Sequence, residues 1–450
     1  MKPVLEHYLE IFRELKRLEK LGFPFVEPGA EPMLPRTIYV GAGQQIAISE
    51  KIDRAIAAIS RVTRENKTHI KATHTQKDWQ AVVRRAFGPV LANFDLGQPE
   101  NEAASWLKAE VGAAITEIEN AGSVPVEIAF GTSWLNMPEI SFSVGPATLE
   151  ARETWINRLH AEGRISKTTL RRTLRRWAGN KLPDRKPSND KHVEQSIANT
   201  VDGSPYVISV KIEGLSTEFT VDRAARIARL VLTGISLIWE QPSNALRGLN
   251  LDYDDHPKQR RVLWLPKNGL VSASYRLRAY PHGPTITVKE WNKQKSDKEP
   301  IFRQLDAITT YIATNQCDAA RKEVIRKLDV ALRWFQEGCR ADDNLLAVTH
   351  FAACLDTLAD GKREGGIRVL LDRQCGLTPG TAAYPDGPTI SQILTAIYAS
   401  GRSRFLHGST EAHLHDWAEN RGFAELLSRR ALVACIFAAD ANPALSDFCA

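Results

Sequence analysis

Helical periodicity runs almost without interruption through residues 301–450, and this feature constrains the fold more than any other. Before it, β-prone runs alternate with helical ones, and a charged stretch at 294–299 (QKSDKE) is typical of a linker. A chain of 450 residues is also too long for one compact core. The sequence therefore predicts an α+β multidomain protein, with a mixed α/β region over 1–300 and an all-α helical bundle over 301–450.

Local patterns place some elements in the first 300 residues. A stripe of apolar residues predicts an amphipathic helix over 1–22. The runs 261–265, 271–278 and 285–291 combine β-branched and aromatic residues and predict the strands of a meander. A polar stretch at 183–200 indicates a seam that would divide this region again.

Composition excludes several classes of protein. The chain is 43% hydrophobic and 25% charged, and no stretch approaches the roughly 20 apolar residues that a membrane helix needs. Its N-terminus is charged and amphipathic, unlike a secretory leader. None of the six cysteines forms a Cys-x-x-Cys pair, and Cys354 and Cys435 fall within apolar helical runs, so both are expected in the core. We expect a cytoplasmic protein with no cofactor and no metal centre.

The net charge of +6 is concentrated in one block, since residues 161–191 hold 10 basic and 3 acidic side chains. Ser166 is placed to cap a helix beginning near Lys167, and a glycine-containing turn with a second helix precedes it, as in a helix-turn-helix. A nucleic-acid-binding surface is one interpretation of the block at 164–186, and a solvated basic helix is the other. The first interpretation assigns nucleic-acid binding to Arg171, Arg172, Arg175 and Arg176.

Residues 390–409 (ISQILTAIYASGRSRFLHGS) carry the pattern most suggestive of chemistry. Apolar residues recur there at helical spacing, and Arg402 and His407 lie five positions apart. On a straight α-helix, that spacing separates two side chains by about 140°, so they cannot both face one phosphate. Either the helix ends or distorts, or a second copy of the chain completes the site.

An Arg, four intervening residues and a His followed by Gly, with Tyr398 four positions before the Arg, resembles the signature of the HEPN superfamily. The resemblance is to its ApeA-like branch, found in bacterial antiphage proteins. The segments 331–338, 345–358, 369–377 and 423–437 agree with that branch in order and spacing. The family usually carries an acidic residue, more often Glu, at the position of Asp356. The resemblance covers residues 317–450 and nothing earlier.

The resemblance implies that the all-α region is a HEPN helical bundle with metal-independent endoribonuclease activity. Attack by the 2′-OH of RNA would leave a 2′,3′-cyclic phosphate end. His suits proton transfer near neutral pH, and Arg suits a phosphate. The implied catalytic residues are Arg402, His407 and Asp356, supported by Tyr398 and Arg404. The implied partners are an RNA substrate, with tRNA among the candidates, and a second copy bound through the C-terminal domain. Residues 1–300 would then be a sensor or regulatory region with an unknown trigger.

Other interpretations stay open at this point. Some HEPN domains keep the fold without activity and serve as binding modules. A nucleic-acid-binding regulator acting through 164–186 is a second alternative. Asp356 is equally well interpreted as a solvated helix residue. The run 251–256 (LDYDDH) offers three carboxylates and an imidazole for a metal, although a polar turn before Pro257 explains it as well.

Overall fold

A computed structural model of the protein describes residues 3–21, 36–41, 44–121, 125–135, 140–213, 217–254, 259–264, 272–277, 283–403 and 415–450. Inside these ranges only the backbone is described at 21, 41, 44, 120–121, 217–218, 259–264, 272–277, 399–400 and 402–403. The chain divides into two compact units, residues 1–126 with 212–222, and residues 127–211 with 223–450.

The first unit is mostly helical and carries one two-stranded antiparallel sheet. Its helices and strands are Val4–Leu21, Arg36–Gly41, Gln44–Ile48, Glu50–Asn66, Thr68–Thr73, Gln76–Ala92 and Glu100–Ala121. The predicted first helix is confirmed, and its apolar stripe is buried in the core of this unit with Ile52, Trp79 and Phe87. Gly88 allows the hairpin to approach helix Gln76–Ala92, because a Cβ there would collide with the carbonyl oxygen of Tyr39.

The second unit contains a four-stranded sheet. In the order in which they pair, its strands are Val126–Thr132, Tyr206–Ile212, Ala147–Ala151 and Phe142–Val144. The pairings of Ala147–Ala151 with both of its neighbours are antiparallel. A separate antiparallel pair joins Gln259–Trp264 to Ser272–Leu277.

Helices make up most of the second unit. Up to residue 297 they are Arg152–Ala161, Lys167–Trp177, Asn189–Val201, most of Thr217–Ser236, Pro242–Gly248, the 3-10 helix Asp252–Asp254, and Val288–Asp297. From residue 299 onward they are Glu299–Thr314, Lys322–Arg340, Asn344–Leu358, Arg363–Cys375, Ile390–Leu394, the π-helix Thr395–Ser403, and Ala418–Ala441. The predicted helical character of 301–450 is therefore confirmed for the residues described there.

The helices after residue 300 pack against the elements before it. The ring of Trp291 lies 5.7 Å from that of Phe142 and 6.0 Å from that of Phe302. The Gly145 N–H donates to the Asp306 carboxylate at 2.6 Å. Residues 223–300 and 301–450 thus belong to one compact unit, whereas the sequence places a boundary near 300. The assignment of 301–450 as a ribonuclease domain stays a prediction.

Two sequence predictions just before residue 300 are wrong. A strand was predicted at 285–291, yet a helix begins at Val288. Its start is fixed by a capping box, in which Thr287 accepts from the Glu290 N–H and the Glu290 carboxylate accepts from the Thr287 N–H. The predicted linker at 294–299 continues this helix to Asp297 and leads directly into the next helix.

Cys354 and Cys435 are fully buried, as predicted, and all six cysteines are free thiols. Burial raises the pKa of the Cys354 thiol. Across the described ranges, no helix combines the length and apolar character that crossing a membrane demands.

Candidate functional site

The segment that carries the predicted motif begins with a well-defined helix start. Thr389 and Gln392 form a capping box at the N-terminus of helix Ile390–Leu394. The backbone then changes to a π-helix over Thr395–Ser403. The predicted alternative of a distortion between Arg402 and His407 falls mainly on residues outside those described, so it stays a prediction. Arg402 lies in this π-helix, one residue before its end. π-helical turns are rare and occur frequently at functional sites.

One face of this segment is anchored in the core. Ile393, Leu394 and Ile397 are buried, as the apolar stripe predicts. A Cβ at Gly401 would lie 3.1 Å from Val348 and 3.5 Å from the Trp417 ring, so the backbone beside Arg402 packs closely against helix Asn344–Leu358 and against the residue that precedes the closing helix. The contacts of Gly401 with Val348 and Trp417 could not be predicted, because residues so far apart in the chain leave no local pattern.

Of the other predicted site residues in this segment, Tyr398 is described in full, and only the backbone of Arg402 is described. Tyr398 is half-buried on the same π-helix. The side chain of Arg402, and the whole of Arg404 and His407, lie outside the described residues. Their roles therefore stay predictions.

Asp356 is buried near the end of helix Asn344–Leu358, which excludes the solvated alternative. Its carboxylate accepts the Arg363 N–H at 3.0 Å, where Arg363 opens the next helix with a φ of 60°. Val348, the residue of this helix against Gly401, lies eight positions earlier, about 12 Å along the axis. Asp356 therefore holds the turn between two helices, and its predicted catalytic role stays a prediction.

The exchange Asp356→Ala is expected to destabilise the protein by about 1–2 kcal/mol, because the Arg363 N–H at the start of the next helix loses its acceptor. Asp356→Asn keeps an oxygen at that position and is expected to melt close to wild type. Calorimetry on both variants tests this. Equal stability of Asp356→Ala and wild type would show that the hydrogen bond contributes nothing measurable.

The basic block forms helix Lys167–Trp177, and Ser166 caps it by accepting from the Thr169 N–H, as predicted. A turn with Gly163 at a φ of 73° joins it to helix Arg152–Ala161. Apolar side chains hold these two helices and Asn189–Val201 in one cluster. The cluster contains Trp155, Ile156, Leu159, Ile197, Val201 and Val207, with Ile165, Leu170, Leu174 and Trp177 packed against it.

The structure separates the four predicted nucleic-acid-binding arginines into two pairs. Arg172 and Arg176 donate to the two carboxylate oxygens of Glu194 at 2.8 and 2.9 Å. Glu194 is 4% exposed, so this pair is part of the helix packing. Arg171 and Arg175 are exposed and form no ion pair with any residue that the structure describes.

Buried ion pairs fix helix Arg152–Ala161 on the sheet. The Arg158 guanidinium donates to Glu127 at 2.7 Å and to Glu150 at 2.8 Å, and Arg164 also pairs with Glu127. Burial alone would raise the pKa of Glu127. The hydrogen bonds from Arg158 and Arg164 outweigh it, so that the pKa falls from 4.5 to about 2.

A lowered pKa in the folded state means that Glu127 stabilises the fold fully above pH 4.5, and that this contribution is lost as the pH falls toward 2. We therefore expect wild type to melt higher than Glu127→Gln near neutral pH. The difference between them should shrink steadily between pH 4.5 and 2. Thermal melting of both proteins across that range provides the measurement, and a difference that does not change with pH would contradict it.

In the acidic run at 251–256, the two aspartates that the structure describes bind other side chains of the protein. Asp252 accepts from the Ser204 hydroxyl, and Asp254 pairs with Arg229. Asp255 and His256 lie outside the described residues. No group of three potential metal ligands occurs among the residues described, so the metal interpretation gains no support there.

A cavity of about 670 Å³ lies beside helix Pro242–Gly248. Its lining includes Trp239, Glu240 and Asn244, and Ser243 anchors the same helix by bonding to Glu425 of the closing helix. The volume falls within the range of small-ligand sites. Nothing in the sequence analysis identified these residues as the lining of a cavity.

No family model, no characterised protein and no solved structure matches this chain. The site is therefore interpreted from its own residues and geometry.

Proposed function

We propose that the protein is a metal-independent endoribonuclease of the bacterial antiphage-defence type, with residues 301–450 forming a HEPN-type helical bundle. The observation that carries the proposal is the π-helix Thr395–Ser403, which contains Arg402 of the Arg-x4-His motif. Two further features support it. The π-helix follows directly on helix Ile390–Leu394, and Gly401, the residue before Arg402, is buried with a Cβ position only 3.1 Å from Val348.

The proposed reaction uses the nucleophile that RNA itself carries. The 2′-oxygen attacks the adjacent phosphorus and loses its proton to a base, while the bond from phosphorus to the 5′-oxygen breaks. An acid protonates that oxygen, so the products are a 2′,3′-cyclic phosphate and a 5′-hydroxyl. His407 is assigned to proton transfer, and Arg402 to the negative charge on the phosphorane-like transition state.

The remaining assignments are also proposals. Tyr398 and Arg404 would support the site, and Asp356 would orient or charge-couple to Arg402 or His407. The substrate would be RNA, with tRNA among the candidates, and the enzyme would be a cytoplasmic homodimer paired through its C-terminal region. The variant Asp356→Asn separates the two roles of Asp356, because a charge needed for catalysis is lost while the fold is retained.

The test is incubation of the full chain with total cellular RNA in EDTA, followed by chemical mapping of the new ends. We expect cleavage that survives EDTA and leaves 2′,3′-cyclic phosphate ends. Wild-type protein that binds RNA without cutting it would favour the alternative of a non-catalytic HEPN module. Cleavage abolished by EDTA would contradict the proposed mechanism.

A further inference from the structure

We propose that the exposed basic face of helix Lys167–Trp177 binds duplex DNA. This face, called the basic face below, consists of Lys167, Arg171 and Arg175. The inference is independent of the proposed ribonuclease, because it concerns another site and its test measures binding alone.

The basic face is aligned on one side of the helix. Its three residues are spaced four apart, so they follow one stripe about 12 Å long. Thr169 and Thr173 on the opposite side are fully buried, and the pair of Arg172 and Arg176 with Glu194 holds the helix in this orientation. The face therefore points to solvent because the rest of the helix is packed.

The structure also shows which charges of the basic block are free to meet a ligand. Of the 10 basic residues at 161–191, five are paired with carboxylates. The paired residues are Arg164, Arg172, Arg176, Arg185 and Lys191. The other half is exposed and has no ion-pair partner in the described part of the chain. These residues are Lys167, Arg171, Arg175, Lys181 and Lys186. A cluster of unneutralised cations is the electrostatic requirement for holding a polyanion.

The supporting architecture favours duplex DNA over RNA. The basic face belongs to the second helix of a helix–turn–helix, and the apolar cluster behind it fixes both helices. A helix about 10–12 Å across fits the major groove of B-form DNA, which is about 12 Å wide. The corresponding groove of A-form RNA is deep and narrow and excludes such a helix.

The experiment measures binding of the full chain to a fluorescent 20-base-pair DNA duplex by anisotropy, over a range of salt concentrations. The test variant is Arg171→Gln/Arg175→Gln. The matched control, Arg61→Gln/Arg85→Gln, removes two exposed arginines outside the basic face. Both pairs are exposed, so melting temperatures close to wild type are expected for each variant.

Each phosphate contact contributes about 0.9 to the slope of log affinity against log salt concentration. We therefore expect the test variant to flatten the slope by about 2 and the control variant to leave it unchanged. Equal effects of the two variants, or an unchanged slope in both, would overturn the proposal. Duplex RNA of the same length provides the second arm, and an equal flattening of the RNA slope by Arg171→Gln/Arg175→Gln would overturn the assignment to DNA.

Discussion

Replacing His407 with alanine is expected to slow RNA cleavage by about 10²–10⁴-fold, with the loss equally large in EDTA. A side chain that transfers a proton in the transition state contributes an effect of this size, and alanine offers no group to replace it. The measurement is the initial rate of cleavage of one defined RNA by full-length wild type and His407→Ala, at equal concentrations of folded protein.

A matched control removes a histidine that the proposed mechanism does not use. His192 is exposed in the second unit, so His192→Ala is expected to cleave at the wild-type rate. If purified His407→Ala cleaves as fast as wild type, the assignment of the site is wrong. If both histidine variants lose activity equally, the loss reflects the protein's integrity rather than one catalytic group.

Arg402 offers a chemically finer comparison within the same assay. Arg402→Ala removes both the charge and the donors, whereas Arg402→Lys keeps the charge without the planar pair of donors. Graded loss through these two variants would therefore indicate that the guanidinium contacts the phosphate in more than one place.

Local sequence signals predicted those features that depend on neighbouring residues. Ser166 caps its helix, and Ile393 and Ile397 are buried, because cap preference and helical periodicity act within a few residues. The capping box of Thr287 and Glu290 is equally local, but the β-branched residues beside it favour a strand, and the two signals conflict.

Features that depend on distant parts of the chain could not be predicted in this way. Arg172 donates to Glu194, which lies 22 positions later on the next helix, and the Gly145 N–H donates to Asp306, which lies 161 positions later. Such contacts decide which arginines remain free and where the compact units divide. Nothing local to the motif indicated the π-helix over Thr395–Ser403 or its close approach to Val348 and Trp417 at Gly401.

The π-helix affects whether a second copy of the chain is needed to bring Arg402 and His407 to one phosphate. An angle of about 140° between Arg402 and His407 holds only for a regular α-helix, and the backbone is already π-helical at Arg402. The described part of the π-helix reaches Ser403, and residues 404–407 lie outside the described residues. Both routes to a working site therefore remain, distortion within one chain and completion by a second copy.

We expect that inactive chains carrying Arg402→Ala and His407→Ala will restore cleavage when they are mixed and allowed to exchange partners. If each site takes Arg402 from one chain and His407 from the other, one of the two sites in every heterodimer is intact. Random pairing makes half of the dimers heterodimers, so about one quarter of wild-type activity should return. The full chain is the appropriate sample, because the helices after residue 300 pack against Phe142 and Trp291.

The mass of each protein in solution, measured alongside the mixing assay, provides the second reading. A wild-type protein that is monomeric and fully active at nanomolar concentration would contradict the dimer while leaving the ribonuclease proposal intact. Dimers that exchange freely without recovering activity would place Arg402 and His407 of each site on the same chain.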